Sequence, residues 1–255
     1  MHDFLNVTVL AVLQGVAEFL PISSSGHLVV GQHFLGITEQ GMRLDVFLHA
    51  GTLLAVFAYY RRRILPVLRD ARYLAKLFVS ALPAVAVYFL FKDRIDALFE
   101  NAKMVGALLM FTGAVLIGTR YLPRGARGVS FLRALWMGVL QAVALLPGVS
   151  RSGMTLAAAR SGRVDPDAAA EFSFLMSAPL IMGGVLLELK DAFLAPAAPG
   201  GAEELGWGLL AYGALLAAAV GYFSLALLVR TLKGRRFWLF GPYCAAAGLL
   251  TLCFA

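Results

Sequence analysis

Long apolar runs alternate with short charged segments along most of the chain. Six runs have roughly the length that a helix needs to cross a bilayer. They cover residues 44–60, 73–91, 104–119, 171–189, 207–229 and 237–255. Two further apolar stretches, 4–20 and 131–146, each run into a proline that is followed by serines and a glycine. The pattern predicts six transmembrane helices and two segments that break within the apolar layer.

Basic residues are distributed unevenly among the loops between these runs. Residues 61–76 hold six basic residues and one acid, while 120–133 and 230–236 hold four basic residues each and no acid. The loops 92–103 and 190–206 are balanced or acidic. Because Lys and Arg accumulate on the cytoplasmic side, the first three loops are predicted to lie inside and the last two outside.

This orientation requires the stretch 131–170 to enter the membrane from the cytoplasm and to return there. We interpret it as a re-entrant loop that is broken at Pro147. By analogy, residues 4–36 are interpreted as a re-entrant loop from the outer side, broken at Pro21. The outer end of that loop follows from the charge pattern, whereas its starting side follows only from symmetry.

The two broken segments share a sequence pattern. QGVAEFLPISSSG (14–26) and QAVALLPGVSRSG (141–153) both run thirteen residues from Gln to Gly, at an offset of 127. The alternative is coincidence among residues that are common in membranes. As a repeat, the pattern divides a single domain, 1–255, into halves 1–125 and 126–255 with three spans each. An odd number of spans inverts the second half, and inverted repeats build polar sites where broken helices meet.

Composition supports this fold class and excludes others. Of the 255 residues, 60% are hydrophobic and 15% are charged, with a mean hydropathy of +0.79. Soluble domains are about half apolar and about a quarter charged. The net charge of +7 is explained by the cytoplasmic loops, so no nucleic-acid partner is predicted. We predict an all-α polytopic membrane protein with six transmembrane helices and two re-entrant helix-loop-helix segments.

Polar and ionisable groups concentrate in the two broken segments, where they are functional candidates by default. The first segment offers Glu18, Ser23, Ser24, Ser25 and His27, and the second offers Ser150, Arg151, Ser152 and Thr155. Non-helical backbone at membrane depth is tolerated only where protein buries it or water reaches it. The two segments together predict an enclosed anion site. A phosphate carried by a lipid fits the apolar surroundings better than a free phosphate.

Arg151 is the candidate phosphate ligand. A guanidinium can hold phosphate oxygens through two parallel hydrogen bonds, and the nearby glycines, Gly148 and Gly153, let backbone amides approach an anion. The alternative is an arginine that anchors the chain at the membrane surface.

Four further residues have a chemical and a structural interpretation each. His27 can serve as a base for a serine hydroxyl and then as an acid, or it can be a hydrogen-bonded loop residue. Glu18 can bind a divalent cation or orient His27, or it can face water at a helix end. Glu171 begins a span, where an acid is favoured, so we assign it a supporting role. His49 either lines the same cavity or bonds a local carbonyl.

At these residues the sequence resembles the bacterial undecaprenyl-diphosphate phosphatases, also called bacitracin-resistance proteins. The resemblance covers essentially the whole chain. Its most specific motifs are QGVAEFLPISSSGHL (14–28) and LLPGVSRSGMT (145–155). FLHAGTLLAV (47–56) and EFSFLMSAP (171–179) support it.

The resemblance implies hydrolysis of the C55 isoprenyl diphosphate to the monophosphate carrier and inorganic phosphate, assisted by Mg²⁺ or Ca²⁺. It implies Glu18 as the metal- or base-linked acid, Ser24 as the proposed nucleophile and His27 as the catalytic histidine. Ser150, Arg151 and Thr155 match the phosphate-binding loop, and Ser23, Ser25, Ser152, Gln14 and Glu171 join the predicted substrate-binding set. Position 14 is Gln, where many relatives have Glu, so a metal clamp from two carboxylates at 14 and 18 is absent.

We hypothesise that Arg151 and the hydroxyls of 150–155 hold the diphosphate while Ser24, or a water in its place, attacks the terminal phosphorus. His27 then acts as base and acid. The predicted partners are a polyprenyl diphosphate lipid and the bilayer, with a homodimer left open. The family places such enzymes in the bacterial inner membrane as multi-pass proteins, with the active site towards the periplasm.

Two rival functions use the same architecture. Inverted repeats with broken helices are typical of secondary transporters, so the site could move a lipid phosphate across the bilayer instead of hydrolysing it. A transporter does not need the Ser24–His27 pair beside Glu18. A small-anion channel is the weaker rival, because a channel needs weak binding that releases its ion.

Overall fold

The structure is a computed structural model that describes residues 2–35, 41–99, 101–123, 125–194 and 205–254. Within these ranges the chain forms helices and no β-strand. In chain order they are α1 (His2–Ala17), α2 (Ser24–Leu35), α3 (Gly41–Tyr59), α4 (Arg61–Arg69), α5 (Ala71–Phe99), α6 (Ala102–Gly118), α7 (Phe131–Val143), α8 (Arg151–Ser161), α9 (Pro166–Leu194), α10 (Trp207–Lys233) and α11 (Phe240–Phe254). Short 3-10 turns follow α6 (Thr119–Tyr121) and precede α11 (Phe237–Leu239).

Five helical segments among the described residues are long and apolar enough to cross a membrane. They lie in α5, α6, α9, α10 and the segment Phe237–Phe254 that contains α11. The sixth predicted span falls in α3, whose apolar segment, Leu44–Tyr59, is shorter than these five. α5 departs from helical geometry at Phe91, where the predicted span ends. The prediction of an all-α polytopic membrane protein is confirmed.

The two broken segments form helix-loop-helix pairs. Residues 18–23, called loop one, join α1 to α2, and residues 144–150, called loop two, join α7 to α8; the helices of each pair pack against each other. α1 also packs against α10, and α7 packs against α5. The side from which each pair enters the membrane and the division into inverted halves stay predictions. Residue 36 and residues 195–204 of the predicted outer loop lie outside the described residues.

Apolar residues of loop one anchor it in the protein core. Phe19 is fully buried, and its ring meets that of Phe174 on α9 edge-on, with centroids 5.5 Å apart. Leu20 and Ile22 are buried as well. Loop one is therefore buried by the protein, which is a condition under which non-helical backbone is tolerated within a membrane.

Glycines allow α6 and α11 to approach closely. Gly106 faces Gly248, and Gly113 faces Gly241, so two glycine pairs lie along one antiparallel helix contact. A Cβ atom at Gly113 would lie 2.8 Å from the Gly241 carbonyl oxygen and 2.8 Å from the Ala245 backbone nitrogen. Small residues at helix contacts are how membrane helices gain close packing without a hydrophobic driving force.

We expect Gly113→Ala to lower the free energy of unfolding by about 1–3 kcal/mol, because the added methyl group meets backbone atoms that cannot move aside independently. Gly118→Ala in the same helix is the matched control. Its Cβ would have no neighbour within 4 Å, and alanine favours a helix by about 1 kcal/mol over glycine. Thermal unfolding in detergent should separate the two variants; equal stabilities would contradict close packing at Gly113.

Candidate active site

Hydrogen bonds from α6 and α8 fix the backbone of loop two. Ser150 caps α8, its hydroxyl accepting from the Gly153 amide at 3.1 Å. Thr112 on α6 donates to the Gly148 carbonyl oxygen at 3.1 Å and accepts from the Ser150 amide at 3.1 Å. Gly148 has φ +91°, and a Cβ atom there would overlap the Val105 carbonyl oxygen. The loop therefore requires glycine at this position.

Loop one is fixed in a similar way from α8 and α11. The Ser23 hydroxyl accepts from the Gly26 amide at 3.3 Å as α2 begins, and Ser23 itself has φ +70°. The Cys244 thiol of α11 donates to the Pro21 carbonyl oxygen at 3.3 Å. The Ser152 hydroxyl donates to the Leu20 carbonyl oxygen at 3.2 Å, which ties the two loops together.

Glu18 is the centre of the polar cluster formed by the two loops. Its carboxylate forms an ion pair and hydrogen bond with Arg151, 133 residues further along the chain. The same carboxylate accepts from the Ser24 hydroxyl at 2.7 Å and from the Gln14 amide nitrogen at 3.2 Å. Glu18 is 6% exposed. A charge so buried needs such partners to be stable.

Arg151 is the first residue of α8 and keeps part of its binding capacity free. Its Nη2 atom donates to Glu18, whereas Nη1 is buried and has no hydrogen-bond partner among the described residues. The N-termini of α8 and α2, at Arg151 and Ser24, both lie at this cluster. Helix N-termini favour anions, so the cluster has more positive potential than its formal charges indicate.

The two histidines near the loops differ in their surroundings. His27 donates through Nδ1 to the Ser23 carbonyl oxygen at 2.9 Å, and its Nε2 lies 2.8 Å from the Tyr243 hydroxyl. Because a carbonyl only accepts, Nε2 of the neutral ring accepts from that hydroxyl. His49 donates to the Asp45 carbonyl oxygen at 2.8 Å and directs Nε2 towards Glu18 at 4.0 Å. Both interpretations of His49, a local hydrogen bond and a position in the cavity, therefore hold.

A cavity of about 300 Å³ opens beside the Glu18–Arg151 pair. Its polar lining consists of Glu18, Ser24, Ser25, His49, Gln141, Arg151 and Ser177. Its apolar lining comes mainly from loop two and α9, through Leu145, Val149, Leu180, Ile181 and Val185. The cavity thus presents an anion-binding group and an apolar surface to the same ligand.

The predicted site residues divide into those that line this cavity and those that support it. Glu18, Ser24, Ser25 and Arg151 line it. Gln14, Ser23, Ser150, Ser152 and His27 hold the loops or Glu18 through the hydrogen bonds described above. Thr155 lies 2.6 Å from the Ser173 hydroxyl and so joins α8 to α9.

Glu171 lies in a different cluster from Glu18. Its carboxylate accepts two hydrogen bonds from Arg63, at 2.8 and 2.9 Å, and one from Tyr73 at 3.4 Å. The structure does not bring Glu171 to the cavity lining. The expected Ser24–His27 pair is not formed either, because the Ser24 hydroxyl donates to Glu18 and both His27 ring nitrogens are engaged with Ser23 and Tyr243.

Several residues that shape the site were not predicted from the sequence. Thr112, Tyr243 and Cys244 lie in apolar spans that carry no local signal of a role. Gln141 and Ser177 line the cavity. For Gln141 the repeat offered a signal, because it is the counterpart of Gln14 in the second broken segment.

The residues around the cavity can be examined as ligands for a divalent cation. Within the described ranges there is no group of three His, Cys, Asp or Glu side chains that could hold a metal. Mg²⁺ is commonly bound through one or two carboxylates together with substrate phosphates and waters. Glu18 is the one carboxylate that lines the cavity in the described part of the chain, so the residues present fit a cation only where a bound ligand supplies most of its oxygen atoms.

Comparison with known proteins gives consistent matches over nearly the full length. The family model described as "Bacitracin resistance protein BacA" matches residues 7–250. A protein of Desulfosudis oleivorans is 41% identical, with 96% of each chain covered. One of Halothermothrix orenii is 38% identical over 99% of this chain and 98% of its own, and one of Desulforapulum autotrophicum is 37% identical over 96% and 95%. All three are named undecaprenyl-diphosphatase.

We expect Thr112→Val to destabilise the protein by about 1–3 kcal/mol, because it leaves the buried Ser150 amide and Gly148 carbonyl unpaired. Valine has the shape of threonine, so packing is retained. Thr112→Ser keeps the hydroxyl and loses one methyl group, which should cost about 1 kcal/mol. Thermal unfolding of both variants in detergent is the measurement. A Val variant as stable as the wild type would show that Thr112 does not hold loop two.

Proposed function

The chain belongs to the bacitracin resistance protein BacA family, and from that premise we propose that it hydrolyses undecaprenyl diphosphate to undecaprenyl phosphate and inorganic phosphate. This reaction recycles the lipid carrier of cell-wall synthesis and supports bacitracin resistance. One observation carries the proposal. A serine hydroxyl, Ser24, is hydrogen-bonded to the carboxylate that pairs with Arg151, inside a chain built to span a membrane.

Arg151 and the N-termini of α2 and α8 bind the diphosphate in this proposal. The free Nη1 of Arg151 and the backbone amides at the helix starts are donors for phosphate oxygens. The apolar lining from α9 and loop two would receive the first isoprenyl units. Preorganised donors of this kind are the main source of catalysis in phosphoryl transfer, where positioning and charge stabilisation dominate.

Ser24, or a water in its place, attacks the terminal phosphorus in line with the bridging oxygen. Glu18 accepts the proton of the attacking hydroxyl, a role supported by the 2.7 Å hydrogen bond from Ser24. Undecaprenyl phosphate leaves with the bridging oxygen. If Ser24 attacks, water then cleaves the phosphoserine, so either route consumes one water and releases one phosphate.

His27 as catalytic base stays a prediction. Both of its ring nitrogens have partners, Ser23 and Tyr243. To act on the substrate, the ring would exchange the Tyr243 hydroxyl for a substrate oxygen at Nε2. In the described arrangement His27 holds the start of α2, and thereby the position of Ser24.

For a divalent cation, Mg²⁺ or Ca²⁺, we propose Glu18 as the protein residue that would hold it. Such a cation would supply charge neutralisation when bound. Gln14 contributes an amide to Glu18 instead of a second carboxylate, so the site itself has a lower negative charge than a two-carboxylate clamp.

The transporter function is not favoured. A transporter needs an anion site but gains nothing from a hydroxyl bonded to a buried carboxylate beside it. The family relatives are named for hydrolysis. The proposed chemistry uses groups of one chain and does not require a homodimer.

The chain is a multi-pass membrane protein, and we propose that its cavity faces the outer, periplasmic side of the bacterial inner membrane. We expect Ser25→Cys, in a Cys253→Ser background, to react with a membrane-impermeant maleimide in spheroplasts. Gly234→Cys lies in a predicted cytoplasmic loop and is the control that should react only after lysis. The reverse pattern of labelling would overturn the outward-facing cavity.

Phosphate release from undecaprenyl diphosphate by the purified protein in detergent tests the activity. We expect wild-type release to stop on chelation of divalent cations, and Ser24→Ala and Arg151→Ala to lower kcat/KM by about 100-fold or more, as for loss of one preorganised donor. Arg151→Lys should recover only part of the loss, because lysine cannot bind two oxygens in parallel.

Two controls accompany this assay. Ser224→Ala, in α10, loses a hydroxyl that bonds only its own helix and should remain fully active. Removing Arg151 leaves Glu18 buried and unpaired, which can cost about 3–5 kcal/mol, so folding of each variant is checked by thermal unfolding. Absence of release from folded wild-type protein would refute the phosphatase and direct attention to lipid-flipping assays.

A further inference from the structure

Gln141 has a buried side chain without a structural role in the described part of the chain. It lies in the last turn of α7 and lines the cavity beside Arg151. The residue is only 2% exposed, so bulk water reaches almost none of it. Neither its amide nitrogen nor its amide oxygen has a hydrogen-bond partner within the described ranges.

The corresponding residue of the other broken helix explains what is unusual about this glutamine. Gln14 donates to Glu18, the fourth residue after it and the first residue of loop one. The fourth residue after Gln141 is Leu145, which has no acceptor to offer. The pairing that satisfies the amide nitrogen of Gln14 is therefore missing for Gln141, whose amide nitrogen and oxygen both lack a partner within the described ranges.

A buried amide without a partner is costly, because its hydrogen bonds to water are lost on folding and not replaced. Arg151 has the same deficit at Nη1, which is also buried and has no hydrogen-bond partner among the residues that the structure describes. Two unsatisfied donor groups on one cavity point to a ligand with several acceptor oxygens. A diphosphate has this chemistry.

We propose that Gln141 is a substrate-binding residue whose amide N–H donates to a diphosphate oxygen alongside Arg151. The inference rests on the proposed function, because it assigns a further residue to the same site. The amide oxygen is then left to accept from a water or from a protonated phosphate oxygen. A bridging water that serves only the fold is the competing explanation.

The test replaces the amide by an apolar side chain of similar length, Gln141→Met. We expect kcat/KM for undecaprenyl diphosphate to fall on the order of 10- to 100-fold, which is typical for a hydrogen bond to a charged group. The inhibition constant of inorganic pyrophosphate should rise by a similar factor. Thermal stability should stay the same or increase, because an unsatisfied buried group is removed.

The direction in which Gln141→Met changes the unfolding temperature distinguishes a substrate-binding role of Gln141 from a structural role. If Gln141 stabilises the folded protein, directly or through a bound water, Gln141→Met lowers the unfolding temperature, and the proposal fails. Unchanged kcat/KM also overturns it. Loss of activity with unchanged pyrophosphate inhibition would mean that Gln141 contacts the isoprenyl part, which contradicts a diphosphate contact.

Two controls complete the experiment. Leu140→Met introduces the same side chain one position earlier, outside the cavity lining, and should leave both activity and inhibition unchanged. Gln141→Leu replaces the methionine variant if that variant does not fold. A folded wild type that releases no phosphate refutes the proposed function; the inference is then tested separately by whether pyrophosphate raises the unfolding temperature of wild type more than that of Gln141→Met.

Discussion

The ion pair between Glu18 and Arg151 is the interaction on which the site depends. Each charge alone would be severely destabilising at a buried position in a membrane protein, so each is tolerable only because the other is present. The pair joins loop one to loop two, which are far apart in sequence. It sets the distance between the two helix starts and thereby the position of the anion site. In the described part of the chain the same pair leaves Nη1 of Arg151 without a partner, so one side chain can serve both structural pairing and the proposed ligand binding.

Loop one and loop two are held inside the protein by hydrogen bonds from several helices of the fold. Backbone groups of the broken helices are satisfied by side chains from distant elements, Thr112 on α6, Ser152 on α8 and Cys244 on α11. The close glycine contact between α6 and α11 is what brings two of those donors near the loops. Helix packing far from the cavity therefore helps to position the residues of the site.

The structure changes which of the predicted catalytic residues contact each other more than it changes which residues lie in the site. Sequence spacing favours a base at His27 for a serine three or four residues away. The tertiary arrangement instead directs the Ser24 hydroxyl to Glu18, and it engages His27 with Tyr243. The Glu18 carboxylate, which is held by Arg151 and Gln14, is then the proton acceptor for Ser24, and His49 Nε2 lies 4.0 Å from the same carboxylate oxygen that Ser24 contacts. Proton transfer in this site is best considered as a property of the cluster around Glu18.

The sequence by itself determined the fold class and five of the six predicted membrane spans, and it predicted that Glu18, Ser24 and Arg151 share one site. These follow from the length of apolar runs, from the cost of polar groups in lipid, and from a repeated motif, all of which are local properties of the chain. Only the tertiary structure decided which partner each group has. It pairs Glu171 with Arg63 away from the cavity, and it adds Thr112 and Tyr243, which lie in apolar helices. It also leaves the Gln141 amide without a hydrogen-bond partner among the described residues. Hydrogen bonds between distant elements depend on how helices cross, and no spacing along a single helix encodes that geometry.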